Sequence, residues 1–252
     1  MTAPSPNREN AGSTRRISIM GHNGHWTNLP KSWLMQLSIV IPLGPEEPYP
    51  EKLVHGLNTG LDEVEILLAT TGQHAGPEIS AELPEIKVIA GSAGRGRQLN
   101  RAADAARGRW LWLIHADSHL PDHAVTQVLE WTRQAQTRLG FCHLRFAEDG
   151  PWLTHLNAVG ANLRSRWLQM PYGDQTLCLP GKWFERLGGF REDLERGEDL
   201  DLVVRARRAG LPIEPIGLTV TTSARRYAQH GWLRTTWQHQ VNAMRLIRRA
   251  ST

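Results

Sequence analysis

The chain has 252 residues, 40% of them hydrophobic and 21% charged, which is a globular composition long enough to bury one full-sized core. Its longest apolar runs, LSIVIPL at 37–43 and WLWLI at 110–114, fall far short of the roughly 20 residues of a membrane span. The net charge of +4 is uneven: from Pro215 onward there is no Asp or Glu but there are arginines at 225, 226, 234, 245, 248 and 249. Such a patch suits a phosphate ligand, anionic lipid or nucleic acid, and composition alone does not choose.

Residues 1–34 are rich in Ser, Asn, Pro, Gly and Arg without a sustained period, which predicts a disordered leader ahead of a domain at 35–252. No apolar core precedes a small-residue cleavage site, so no signal peptide is expected. The His22–His25 pair reads as chance spacing. From Gln36 the pattern changes. LSIVIP is a continuous apolar run, the mark of a strand covered on both faces. A short helix over about 50–59 follows, then strands VEILLA (64–69) and IKVIA (86–90). A glycine-rich turn at 91–96 opens a helix to about 107, and RWLWLI (109–114) is the next strand, with a helix after Pro121. Strands and helices alternating at this pitch predict a parallel α/β sheet with helices on both sides.

The second half is less regular. LGFCHLRFA (139–147) reads as a strand and 151–168 as a helix. The polar turn PYGDQ (171–175) leads into strand TLCL and a short helix in KWFERLGGF. GEDLDLVVRARRAG (197–210) sets Leu200, Val203 and Val204 on one helical stripe, with Gly210 as the stop. PIEPIGLTVTTSARRY carries a last strand into an arginine pair. A final helix over about 229–248 presents Leu233, Trp237, Val241, Met244 and Ile247 on one face, fit either for core packing or for a membrane surface. Cys142 and Cys178 sit in apolar surroundings at no metal-ligand spacing, as buried free thiols of a reducing compartment would. A cytoplasmic protein is expected.

Several polar groups fall where a parallel sheet places ligands, outside the carboxyl ends of its strands. RWLWLI runs straight into His115 and Asp117. A carboxylate there suits Mg²⁺ or Mn²⁺ on a substrate's phosphates, or else caps the helix near Pro121. GRGRQLN supplies Arg95, Arg97, Gln98 and Asn100 to an anion, or to a solvated basic face. Glu198 and Asp199 open a helix, where they answer the helix dipole or serve as a general base. Arg225 and Arg226 at a strand end fit a diphosphate clamp, or plain surface charge.

In order, LSIVIP with Glu46–Glu47, GRGRQLNRAADAARG, HADSHLP, PYGDQ, LGGF, GEDLDLVVRARRAG and TSARRY make a set that spans about 36–235. The set resembles family 2 glycosyltransferases of the GT-A fold, an inverting, nucleotide-sugar-dependent class. Within that class it is most similar to a bacterial subgroup associated with radical-SAM and selenodomain proteins. The resemblance implies a single α/β domain with a mostly parallel sheet and a C-terminal, acceptor-side half. It implies Asp117 as the surviving carboxylate of a metal-binding DxD, with His115 in place of the first acid. Asp199 falls on the family's base, with Glu198 beside it. Pro42, Glu46, Arg95, Arg97, Gln98, Asn100, His115, Asp174, Gln175, Arg225 and Arg226 fall on the donor side. A nucleotide-sugar donor and a hydroxyl acceptor are implied, assisted by Mg²⁺ or Mn²⁺, with no nucleic acid. The chain departs from the family after its second strand, where VEILLATTGQ lacks the usual nucleotide-contacting Asp, and after its first, where GPEE stands.

Other classes leave weaker marks. GSAGRG is G-x-x-G-x-G, not the dinucleotide G-x-G-x-x-G, and it follows the third strand. His115, His119 and His123 share a four-residue spacing, but Pro121 keeps them off a single helix, which argues against zinc. A non-catalytic binder of nucleotide sugars, or of membrane surfaces through the basic C-terminal helix, is the alternative to an enzyme.

Overall fold

The computed structural model describes residues 17–20, 26–29, 35–45, 47–72, 86–134, 136–194, 196–225 and 227. Chain contacts divide it into 1–34 and 35–252. Within the first unit, strands β1 (Ile17–Met20) and β2 (Trp26–Leu29) pair antiparallel. The composition of 1–34 predicted no regular structure, and a four-residue ladder is too short to leave a legible period.

The second unit carries an eight-stranded sheet. Its strands are β3 (Leu37–Pro42), β4 (Val64–Thr71), β5 (Ile86–Gly91), β6 (Trp110–Leu113), β7 (Ser118–His119), β8 (Leu139–Phe146), β9 (Leu177–Pro180) and β10 (Ile213–Thr222), in spatial order β5-β4-β3-β6-β9-β8-β10-β7. The helices are α1 (Glu51–Leu57), α2 (Arg95–Ala105), α3 (Ala124–Arg133), α4 (Thr154–Leu168), α5 (Gly181–Arg186) and α6 (Glu198–Arg208), with a 3₁₀ turn at Gly173–Gln175. The pairs β3–β4, β3–β6, β4–β5 and β8–β10 are parallel, whereas β9 runs antiparallel to both β6 and β8, and β7 antiparallel to β10. The sheet is therefore mostly parallel, as expected.

Pleating explains the apolar runs. Trp110, Trp112 and Ile114 enter one core layer with Leu37, Ile39 and Ile41 of β3, while Leu111 and Leu113 enter the other with Val40. Both faces are covered, so alternation disappears from the sequence. The first layer includes buried residues of α1, α3 and α4; the second packs against α2 and α6.

The reversed β9 positions the functional end. After β8 the chain travels along α4 and re-enters the sheet from the end where β6 finishes, so Leu177 pairs with Leu113. The turn before it, Gly173–Thr176, is thereby set beside the residues that follow β6. Thr176 pays for the tight entry with a left-handed φ of 48°, unfavourable for a β-branched residue. Its fully buried hydroxyl holds the turn, accepting from Trp112 Nε1 at 3.0 Å and donating to Cys142 Sγ at 3.1 Å.

The opposite end of the sheet has its own lock. Glu65, 5% exposed, accepts from Ser38 Oγ at 2.7 Å and from the Arg107 backbone at 2.6 Å, and pairs with the Arg107 guanidinium at 2.9 Å. Burial opposes its charge, but these hydrogen bonds outweigh it and hold the carboxyl below its ordinary range.

Candidate active site

A pocket opens at the carboxyl ends of β3 and β6. Pro42 and Leu113–His115 form its floor; Arg95 and Leu99 of α2, Gly173 and Leu177 of the β9 entry, Phe190, and Asp199 of α6 close its walls. α6 reaches it by a left-handed turn at Gly197, φ 83°, a conformation that favours glycine. The turn points the first helical residues, Glu198 and Asp199, at the floor.

Charge is concentrated here. Arg95 Nε lies 2.8 Å from Glu198 Oε1, and His115 Nε2 lies 4.0 Å from Asp199 Oδ2. Burial pushes the Glu198 carboxyl up to about 7; the Asp199 charge adds to this and Arg95 opposes it. Burial works on Asp199 too, but Arg95, His115 and a hydrogen bond from Glu198 outweigh it and keep Asp199 below its ordinary value. Of the two, Glu198 is the one that takes up a proton more readily. Asp199 is the ionised member, partly open to solvent at 19% side-chain exposure.

Gly173 is the closest wall. A Cβ placed there would meet Asp199 Oδ2 at 1.9 Å and His115 Nε2 at 2.8 Å, so only glycine admits the carboxylate. This role is absent from the sequence reading. PYGDQ was singled out for its acid and amide, whereas the glycine between tyrosine and aspartate carries the steric requirement. Beside it the Arg164 guanidinium lies 3.5 Å from the Tyr172 ring centroid, another contact without a sequence signal. Asp174 is pushed up to about 6 by burial, with Arg164 opposing and Asp199 and Asp117 adding to the shift. Its Oδ1 is buried without a hydrogen-bond partner among the described residues.

Of the residues expected at the site, the structure brings together Pro42, Arg95, His115, Glu198 and Asp199, with Asp174 and Asp117 within electrostatic reach of one another. Asp117 is exposed and caps no helix: α3 starts at Ala124 on His123, without a side-chain cap. Other expected residues brace the walls instead of lining this pocket. The Gln98 amide donates to the carbonyls of Leu43 at 2.7 Å and Ala69 at 2.8 Å, tying the ends of β3 and β4. Asn100 exchanges two hydrogen bonds with the Phe190 backbone at 2.8 and 2.9 Å. Gln175 is fully buried, accepting from Ser165 at 2.5 Å and donating to the Cys142 carbonyl at 3.1 Å. Polar side chains near a ligand end of a sheet are equally suited to satisfy backbone groups: Gln98 does so at strand ends, Gln175 within β8, and Asn100 in the loop at Phe190. Arg97 is exposed and faces Glu192 at 3.5 Å. Arg225 stands three residues beyond Thr222, which pairs with Ser118 next to Asp117, and its Nε donates to Ser223 Oγ at 2.9 Å. Glu46, Arg226 and the expected helix at 229–248 lie outside the described residues.

The residues near Asp117 fit a divalent cation only in part. No group of three or more potential ligands is assembled among the described residues. One exposed carboxylate, with the orphaned Asp174 oxygen nearby, fits an ion whose other positions are filled by phosphate oxygens and water.

A mostly parallel sheet with a pocket at the carboxyl ends of its strands is the arrangement in which α/β proteins bind their ligands. The sequence matches the model of glycosyl transferase family 2 over residues 38–193, and the chain belongs to that family. Among solved structures it is similar to S. aureus TarS 1-349, with TM-score 0.60 and 13% identity over 75% of this chain and 60% of that one. It is similar also to the mannosyltransferase PcManGT from Pyrobaculum calidifontis in complex with GDP-Man and Mn²⁺, with TM-score 0.56 and 16% identity over 73% and 56%. A third is glucosyl-3-phosphoglycerate synthase from Mycobacterium tuberculosis, in complex with Mn²⁺, UDP and phosphoglyceric acid, with TM-score 0.54 and 14% identity over 79% and 76%. The chain thus spans about three-fifths of the length of the first two. These likenesses show the GT-A fold. No curated protein sequence matches the chain.

Proposed function

We propose that the chain transfers a sugar from a nucleoside-diphosphate donor to an acceptor hydroxyl, with inversion at the anomeric carbon. The observation that carries this reading is the ionised Asp199, held at the pocket wall by Arg95, His115 and the glycine at 173. Family membership supports the reaction class, and neighbours solved with UDP-GlcNAc, GDP-Man and UDP support the donor class.

Asp199 acts as general base on the acceptor hydroxyl while that oxygen attacks the face of the sugar opposite the leaving group. A carboxylate of lowered pKa is a weak base toward a resting hydroxyl. Its contribution grows as the C–O bond forms and the proton becomes acidic. Glu198, the more readily protonated of the two, hydrogen-bonds to Asp199, which fixes the orientation of the reacting carboxylate. Arg95 holds the pair from the α2 side. Asp117 would hold Mg²⁺ or Mn²⁺, which supplies positive charge to the departing diphosphate when bound. Arg225, rooted next to β7, completes the anion side. Cys142 and Cys178 are both free and buried, in keeping with a cytoplasmic setting.

Calorimetric titration of nucleoside-diphosphate sugars with and without Mn²⁺ tests the donor side. Asp117→Ala should lose the Mn²⁺-dependent part of donor affinity and keep its melting temperature, because an exposed carboxylate buries little. Unchanged Mn²⁺ dependence in that variant would remove Asp117 from the site. A wild type that binds donors yet transfers to no acceptor would favour a non-catalytic binder.

A further inference from the structure

We propose that the outer face of α4 is a docking surface for an anionic lipid bilayer. Six of the seven large apolar side chains exposed among the described residues belong to this helix or its first flanking turn: Trp152 (71% exposed), Leu156 (55%), Val159 (57%), Leu163 (52%), Trp167 (77%) and Leu168 (55%). Steps of four, three, four and four residues from 152 to 167 put the first five on one side of a helix about 22 Å long, with Leu168 next to Trp167 at its end.

The inner side of α4 is committed. Thr154, Ala158, Ala161 and Ser165 are buried, and the Asn162 side chain clamps the Leu144 backbone through bonds of 2.8 and 3.0 Å. The helix cannot roll to hide its stripe, so an apolar strip of this length awaits a partner.

Charge selects the partner. Between Gly150 and Gly173 the sequence has no Asp or Glu, whereas it has His155, Arg164 and Arg166. Tyr227, the last described residue, sits beside the same helix, and the sequence from Pro215 onward carries six arginines and no acid. The Tyr227 ring packs on Phe146 at 5.4 Å between centroids, and its hydroxyl is hydrogen-bonded to the Asn157 side chain of α4. An apolar strip with tryptophans at both ends, an exposed Arg166 beside it and no acid between Gly150 and Gly173 matches the interfacial zone of an anionic membrane. Glu148 and Asp149 precede the strip, and the Asp149 carboxylate is taken up by Ser223 Oγ and the Ala224 backbone. The sequence left the C-terminal helix open between core packing and a membrane surface; the exposed apolar face of α4 is a separate feature.

The test reads lipid, not product, so its outcome is independent of the transfer reading. The full chain is sedimented with vesicles of phosphatidylglycerol and phosphatidylcholine, and with phosphatidylcholine alone. Binding to the anionic vesicles only, weakened by salt, is expected. The double variant Leu163→Glu and Trp167→Glu should partition roughly tenfold or more weakly. Its melting temperature should be unchanged, because both side chains are exposed. Three results would overturn the proposal: no sedimentation of the wild type, equal binding to both vesicle types, or an unchanged partition in the variant. A wild-type dimer that the two substitutions split would make the strip a contact between copies, and would overturn it as well.

Discussion

Glu198 and Asp199 are adjacent in the chain and titrate in opposite directions, and that contrast is what makes the pair useful. Glu198 is 3% exposed and pushed up to about 7, so its neutral form is the one the fold favours. The sign follows from linkage. A carboxyl raised in the folded state contributes fully below its ordinary value and loses that contribution as pH climbs through about 7. Melting temperature should therefore fall more steeply between about pH 5 and about pH 8 in the wild type than in Glu198→Gln, which stays neutral throughout. Parallel melting curves for the two proteins across that range would show that Glu198 is ionised in the fold. Gly173→Ala offers a steric test of the same site. A methyl group at 1.9 Å from the Asp199 oxygen must displace it, so transfer should drop by at least about tenfold while the protein remains folded. The acids were legible from their place at a helix start. The glycine was not, because a close approach between segments 26 residues apart has no local signature.

Among the elements, strands buried on both faces were the most legible, since each is a short apolar run between polar turns. Direction was harder to see. The four residues of β9 look like any other strand, and their reversal follows from where α4 delivers the chain. The exposed strip of α4 was equally hidden, because periodicity reveals an apolar face without saying whether the sheet covers it. Side chains that brace elements were read as ligand-binding for a related reason: an amide near strand ends suits both jobs. Gln98 gives a clear separation. Gln98→Leu removes two hydrogen bonds to buried strand-end carbonyls, which should cost about 1–3 kcal/mol of stability. Chemical denaturation checks this. A variant as stable as the wild type but with weakened donor binding would return Gln98 to the donor pocket.

At the scale of the whole molecule, residues 35–252 hold both core layers and every described residue of the site. A chain beginning at Met35 should melt within about two degrees of the full one by the usual scaling of stability with melting temperature. A larger drop would mean that 1–34 contributes to the domain. The central claim is that this α/β framework presents one ionised carboxylate to an acceptor hydroxyl. Its most direct measurement is glycosyl transfer by Asp199→Asn, followed as nucleoside-diphosphate release with a donor the wild type accepts. Asparagine keeps the shape and gives up only the modest first-turn dipole contribution, about 0.3–1 kcal/mol, since Gly197 and not Asp199 stands at the cap, but it cannot take up a proton. Turnover should fall by about a hundredfold or more, with donor affinity and melting temperature held; a variant that turns over as fast as the wild type would contradict the account.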